Sequence, residues 1–416
     1  MNRQASRYRW VVFSAVLWSY FLVVSQRTAP GLVTGQLMKQ FALSATTMGL
    51  MSSLQFFAYA GLQIPVGLLS DRFGPNRFLI LGTFLNGLGT VLYSIAPNSA
   101  VLLGSRFLVG VGDATIFVNF VAILNAWFLP REFVRLLGVI GLGGGLGSLM
   151  ATVPFSMWIS DVGWRVPFLT VGAFLMASSV LLVELLVRRP RRLFPAEAGM
   201  TTGNTHKPKR IGVLQTVRRL LTTREAWATF MCHFGVVGTY VGFVGSWGVP
   251  YSMHVFGLPL GSASALMMFG LFGAMVGGPL ATWIASKVGA NKRVYTVVYV
   301  LVFLSWAVWF LSGSAPSLVL VTCLLVVIGL GNGASALTFA IVRESFSSEV
   351  VGVASGFANT GGFLSAVLLP SIFGLILDTF PQASATIGYH DGLLIPAAFS
   401  LIGLVGVLLV RERKTA

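Results

Sequence analysis

The feature that constrains this chain most is a succession of apolar runs, about twelve in 416 residues. Each is long enough to cross the roughly 30 Å of bilayer hydrocarbon as an α-helix. They fall at 10–32, 46–70, 78–96, 100–129, 134–158, 165–187, 226–252, 262–286, 294–312, 318–342, 350–376 and 392–410. In lipid every backbone polar group must find its partner inside the segment, so such runs predict helices and an all-α membrane protein. Hydrophobic residues make up 55% of the chain and charged residues 10%, which leaves little for a soluble domain. The opening MNRQASRYRW leads into an apolar run that continues too far for a signal peptide and lacks a small-residue cleavage site, so it is read as the first helix. Cys232 and Cys323 both lie in apolar runs with no ligand spacing. They predict inert core thiols, with neither a disulfide framework nor a metal site.

A net charge of +16 could signal nucleic acid, but the basic residues form no patch. They occupy alternate loops: Arg3, Arg7 and Arg9, then Arg72 and Arg77, Arg131 and Arg135, the run from Arg188 to Arg224, Lys287, Lys292 and Arg293, Arg343, and Arg411 to Lys414. Only Lys39 and Arg165 stand opposite. By the positive-inside rule this places both termini and the central loop in the cytoplasm of a bacterial inner-membrane protein. The lipid bilayer is then the partner of the basic surplus, and nucleic acid is not.

The central loop separates six spans from six. Residues 1–187 form a predicted N-terminal six-helix bundle, 188–225 a cytoplasmic linker, and 226–416 a C-terminal bundle. In the linker, IGVLQTVRRLLTT can form an amphipathic interfacial helix, and Thr222 with Glu225 suggests a capping box opening span seven. The halves repeat: SDRFGPNR at 70–77 matches SKVGANKR at 286–293, VGVGDATIF at 109–117 matches IGLGNGASA at 328–336, and Pro154 matches Pro370. Two pseudo-symmetric units of this kind predict a solute path along their shared axis.

The segment GLLSDRFGPNR, Gly67 to Arg77, resembles the loop signature of the major facilitator superfamily. RFLVGVGDA from Arg106 and GVIGLGGGLG from Gly138 resemble its fourth- and fifth-span patterns. The resemblance covers the whole chain and implies the major facilitator fold. It also implies a conformational latch at Gly67, Asp71, Arg72, Gly74 and Arg77, in which Asp71 pairs with an arginine or caps a neighbouring helix. The second copy lacks the acid of the first, so the stronger latch is expected in the first half.

Ionisable side chains at bilayer depth are costly and are functional candidates by default. Glu184 lies near the end of span six, where it can reach the interface. Asp113, about thirteen residues into span four, falls near the midplane. Arg106 precedes it by seven residues, two turns back on the same face and about 10 Å away. The pair predicts either a proton site tuned by its arginine or a permanent Asp–Arg lock. Arg27 lies in the outer part of span one with no acid on its own helix, so it seeks an anion or snorkels to the interface. In the second half the polar candidates are His233, Tyr240, Ser246, Trp247 and Tyr251 on span seven, with Asn332 and Ser335 on span ten. Asn332 is the repeat partner of Asp113, which suggests that charge is handled in one half and hydroxyl groups in the other. His233 is either a satisfied core histidine or a proton relay.

SQRTAPGLVTGQLMKQFALSATTMG followed by AYAGLQIPVGLLSDRFG resembles the anion:cation symporter branch, which includes hexuronate and galactonate transporters. That resemblance implies Arg27 as anion ligand, Arg106 and Asp113 as the proton-coupling pair, and Tyr59 as a cavity residue. It departs at Gln26, where the branch often carries aspartate. The implied activity is proton-coupled uptake of a small organic anion, a sugar acid or carboxylate, by a monomer working through alternating access. A proton-coupled exporter of drugs or metabolites is the alternative, which the glycine-rich fifth span also suits. There is no nucleophile with a paired base, no GxxxxGK[ST] loop and no cofactor motif, so an enzyme is not expected.

Overall fold

The computed structural model describes residues 3–189, 218, 220–347, 350–381 and 384–411, and among these there are helices and no strands. The first half contains α1 (Arg3–Arg27), α2 (Thr34–Phe41), α3 (Ala45–Phe73), α4 (Pro75–Ser94), α5 (Ser99–Trp127), α6 (Pro130–Met150), α7 (Val153–Val162) and α8 (Arg165–Val183). The second contains α9 (Arg224–His233), α10 (Thr239–Val244), α11 (Gly248–Phe256), α12 (Leu260–Val288), α13 (Asn291–Leu311), α14 (Leu318–Ala334), α15 (Ala336–Ser345), α16 (Val351–Asp378), α17 (Ala385–Gly392) and α18 (Leu394–Leu409). Among the described residues, ten helical stretches are long and apolar enough to cross a membrane. α3 and α4, of 29 and 20 residues, occupy the positions expected for spans two and three. The chain is a multi-pass membrane protein.

Local chemistry sets the helix ends. Asn98 caps α5 by accepting from the Val101 N–H (3.0 Å), and Ser317 caps α14 through the Leu320 N–H (3.2 Å). At the α3–α4 corner Gly74 has φ +92°, a conformation an L side chain resists, and Pro75 follows where its missing N–H costs nothing. Glu132 in the first turn of α6 accepts from the Leu129 N–H (3.0 Å) and holds Arg9 of α1 in a fork, at 2.9 and 3.0 Å. That bidentate pair fixes α1 against α6.

Several expectations are corrected. Span seven is not one helix: α9 passes through a π-helical turn at Phe234–Gly238 into α10, and the chain then breaks at residues 245–247 before α11. Span ten is interrupted at Ser335, between α14 and α15. The cap position of α9 is Thr223, one residue beyond Thr222, and Thr223 makes no side-chain cap bond. Cys232 is buried as expected, but Cys323 is exposed on the apolar exterior. The expected interfacial helix in the linker lies outside the described residues except for its last few. Glu184 begins a π-helical turn and pairs with Arg188 at 3.8 Å on an exposed surface, in keeping with an interfacial place.

The chain divides into two compact units. One comprises Met1–Pro30 with Leu54–Lys207, the other Gly31–Ser53 with Pro208–Ala416. The sequence-order boundary at the linker is therefore crossed once: α2 and the first turns of α3 group with the second unit. The first unit packs Tyr93 against Trp164 and Phe168 (ring centres 5.7 and 4.9 Å). The core of the second is aromatic, with Trp306 stacked on Trp309 (5.5 Å, 4°) and both against Phe243. Large apolar side chains such as Val180, Val319 and Leu311 point outward, as a lipid solvent allows.

Candidate functional site

The charged candidates of the first unit converge on one buried network. Asp113 is 2% exposed and its carboxylate is fully engaged. Oδ1 accepts from Asn86 Nδ2 of α4 (2.9 Å) and from Arg27 Nη2 of α1 (3.4 Å). Oδ2 accepts from Gln55 Nε2 of α3 (2.8 Å). The α3–α5 crossing that makes this possible depends on Gly110, where a Cβ would overlap the Gln55 carbonyl oxygen. One turn further along α5, Asp113 then falls opposite the Gln55 side chain.

Arg106 does not face Asp113 directly. Its Nη1 donates to Gln26 Oε1 (3.2 Å), and its Nη2 donates to the Arg27 backbone carbonyl (3.3 Å) and to Gln55 Oε1. The guanidinium lies 5.5 Å from the Tyr93 ring centre, a cation–π arrangement. Gln55 thus bridges Arg106 and Asp113, giving its carbonyl oxygen to one and its N–H to the other. The seven-residue spacing places the two groups on one face about 10 Å apart; the structure sets the Gln55 amide between them, because both side chains reach toward α3.

Arg27 has the acid that span one could not supply. Asp113 forms its ion pair at 3.4 Å, and the Tyr59 ring lies 5.5 Å from its guanidinium. Arg27 is 22% exposed against 2% for Asp113, so the arginine is the more accessible member of the pair. Gln26 donates to Asn86 Oδ1 (2.9 Å) while accepting from Arg106, which gives the departure from the Asp–Arg pattern a structural task. Within the network two guanidinium groups stand against one carboxylate. A buried cluster with an excess positive charge is electrostatically incomplete, and a bound anion would complete it.

Gln55, Asn86 and Tyr93 were not among the sequence candidates. Their signal was available: a glutamine and an asparagine inside apolar runs must be hydrogen-bonded. Which charge they serve is decided by helix packing.

In the second unit the expected contacts diverge. Trp247 donates from Nε1 to the Pro370 carbonyl (2.9 Å) and stacks on Phe373 (5.5 Å, 17°), and Tyr251 accepts from Trp309 Nε1 (2.8 Å). Both are 1% exposed and belong to the aromatic core. Tyr240 lies buried against Gly270 of α12. Asn332 and Ser335 are partly exposed at the interruption of span ten, where the Ser335 N–H bonds the Asn332 carbonyl (3.2 Å). His233 is buried, bonded to Asn359 and set against Phe339 (5.2 Å), and its Nδ1 has no protein hydrogen-bond partner. The Ser246 hydroxyl, in the break of span seven, is likewise buried without a partner.

Of the latch residues, Gly67 and Arg72 lie in the last turns of α3, Gly74 forms the corner, and Arg77 is exposed in the first turn of α4. The Arg72 guanidinium lies 5.2 Å from the Phe73 ring. Asp71 is helical, and its side chain lies outside the described residues.

Comparison with known proteins is consistent with this architecture. The gentisate transporter of Corynebacterium glutamicum is 24% identical over 97% of this chain and 88% of its own length. The probable L-galactonate transporter of Escherichia coli is 22% identical, over 99% and 92%. The probable sulfoacetate transporter SauU of Cupriavidus necator is 23% identical, over 99% and 96%. A crystal structure of a bacterial homologue of the human lysosomal transporter Spinster, inward-facing and unoccupied, superposes with a TM-score of 0.70 at 18% identity, covering 98% of this chain and 99% of that one. Residues 16–370 match the Major Facilitator Superfamily, and the chain is a non-enzymatic transporter belonging to that family.

Proposed function

We propose that this transporter carries a small organic anion, a carboxylate or sugar acid, inward across the membrane by alternating access and couples it to protons at Asp113. The observation that carries the reading is the Arg27–Asp113 pair at 3.4 Å, with its arginine partly exposed and its carboxylate buried. The relatives named for galactonate, gentisate and sulfoacetate support an anionic solute.

The chemistry runs as follows. With Asp113 ionised, Arg27 is neutralised from within the protein. A proton delivered to Asp113 discharges the carboxylate and leaves the Arg27 fork for the carboxylate of the solute, which a guanidinium can hold bidentately. Release of the solute returns Arg27 to Asp113 and expels the proton. Arg106, held by Gln26, Gln55 and the Arg27 carbonyl, keeps α1 and α5 in register and maintains the positive surplus that favours an anion. Tyr59 holds the Arg27 guanidinium from its ring face.

The test is uptake into proteoliposomes with the outside acidic, across a panel of sugar acids, aromatic acids and sulfonates. Accumulation of one of these anions that collapses with a protonophore is the expected result. Accumulation indifferent to the proton gradient, or normal transport by Arg27→Ala, would overturn the proposal. Proton-driven extrusion from the loaded side would favour the exporter.

A further inference from the structure

Gln55 stands between the carboxylate of Asp113 and the guanidinium of Arg106, and these neighbours leave its amide one orientation. Arg106 can only donate, so the amide oxygen faces it; an ionised carboxylate can only accept, so the amide N–H faces Asp113 Oδ2 (2.8 Å). A second amide chain runs in the same sense. Arg106 Nη1 donates to Gln26 Oε1 (3.2 Å), Gln26 Nε2 to Asn86 Oδ1 (2.9 Å), and Asn86 Nδ2 to Asp113 Oδ1 (2.9 Å). In both chains every donor points away from the cation and toward the acid. Gln26, Gln55 and Asn86 are at most 1% exposed, so a bond lost here is not replaced by bulk water.

A proton on Asp113 breaks this order, because the carboxyl group then has an O–H to donate. The charged and titratable groups around the network are Arg27 and Tyr20 of α1, Tyr59 of α3, Tyr93 of α4, and Arg106 on the same helix as Asp113. Phenols and guanidiniums keep their protons through the neutral range, so the carboxylate is where the charge changes. Oδ1 already meets the Arg27 guanidinium and Asn86, whereas Oδ2 meets Gln55 alone. The O–H therefore belongs on Oδ2, where it faces the Gln55 N–H, donor against donor. Half a turn of the Gln55 amide removes the conflict, and the terminal torsion of a glutamine is broad and roughly twofold. The same relief through Oδ1 would have to reverse two amides, those of Asn86 and Gln26.

We propose that Gln55 is a positioning residue that transmits the protonation state of Asp113 to Arg106. Protonation reverses its amide: the amide oxygen accepts from the carboxyl O–H, and the N–H turns to Arg106, which is thereby released from α3. Gln55 is the hydrogen-bonded link between Arg106 and α3; after the reversal Nη2 keeps the Arg27 carbonyl, and Nε has no protein partner to take up the load. The inference rests on the reading of Asp113 as the proton site.

The experiment is infrared difference spectroscopy of the purified full-length protein between acid and alkaline buffers, with isotope-labelled glutamine side chains. Acid should raise a protonated-carboxyl band that Asp113→Asn lacks, together with a shift of one glutamine amide band that Gln55→Leu lacks. The ratio of reversed to unreversed amide should change at least tenfold between the buffers, the weight of one hydrogen bond to a charged group. Asp113→Asn gives a second test that does not depend on the folding of Gln55→Leu. Its own amide N–H replaces the carboxyl O–H, so the Gln55 band should stay in the acid position at every pH. A carboxyl band with unmoved glutamine bands, or a Gln55 band held in the alkaline position by Asp113→Asn, would overturn the amide reversal and leave proton coupling at Asp113 standing. Absence of the carboxyl band from the wild type would overturn the proton reading, and the reversal with it.

Discussion

One carboxylate oxygen of Asp378 accepts from both the backbone N–H (2.8 Å) and the hydroxyl (2.6 Å) of Thr46, although the residues are 332 positions apart. The other oxygen accepts from the Ala45 N–H (2.8 Å), so the end of α16 supplies the N-terminal cap of α3. An acid there satisfies two orphan donors and opposes the positive end of the helix dipole. Close by, the Ser53 hydroxyl bonds Ser371 (2.8 Å) and the Val367 carbonyl. These contacts explain why Gly31–Ser53 groups with the second unit.

Asp378→Ala should therefore loosen the start of α3 without unfolding the protein. The expected cost is about 1 kcal/mol, the usual worth of a helix cap. Hydrogen–deuterium exchange should speed up over residues 44–50 and stay unchanged in α5. Unaltered exchange in that stretch would show that the cap is not what holds it.

Asp113→Asn keeps the size of the side chain and removes the charge that pairs with Arg27. Under the proposed mechanism it should abolish accumulation driven by a proton gradient while leaving exchange of labelled for unlabelled solute intact. Transport by the variant should also lose its response to external pH. Gradient-driven accumulation that survives would place the coupling proton elsewhere.

Replacing Arg27 separates charge from geometry. Arg27→Ala removes charge-assisted hydrogen bonds worth about 1.5–3 kcal/mol, so anion affinity should fall by roughly 10- to 150-fold. Arg27→Lys retains the charge but not the planar fork, and should fall between Arg27→Ala and wild type. Equilibrium binding to the purified protein measures this; equal affinities for Arg27→Lys and wild type would argue against bidentate recognition.

Gln55 is the hinge of the buried network, because one side chain satisfies both Arg106 and Asp113. Gln55→Leu should leave two buried charged groups short of partners and cost about 2 kcal/mol or more. A lowered melting temperature, partly restored by bound solute, is the expected result. A melting temperature equal to that of wild type would mean that other groups replace both bonds.

Much of the architecture was legible in the sequence because the relevant properties are local. The length of an apolar run fixes whether it can span lipid, and a repeated loop signature marks two related halves. Even the incomplete charge around Arg27, Arg106 and Asp113 could be suspected from three ionisable residues in apolar runs. The network's wiring could not. Asp113 and Arg106 lie two turns apart on one helix, yet each takes its partners from other helices, and a side chain's nearest neighbour in sequence says little about which helix packs beside it. The same holds for the break in span seven, where Trp247 and Tyr251 turn into an aromatic core, and for Asp378 at the start of α3. The sequence by itself determined that the chain is helical and crosses the membrane many times, and where the costly charges lie, since hydrophobicity and backbone satisfaction act within a segment. Tertiary packing alone decided that Arg27, rather than Arg106, pairs with Asp113, because an ion pair depends on a few ångströms between helices distant in the chain.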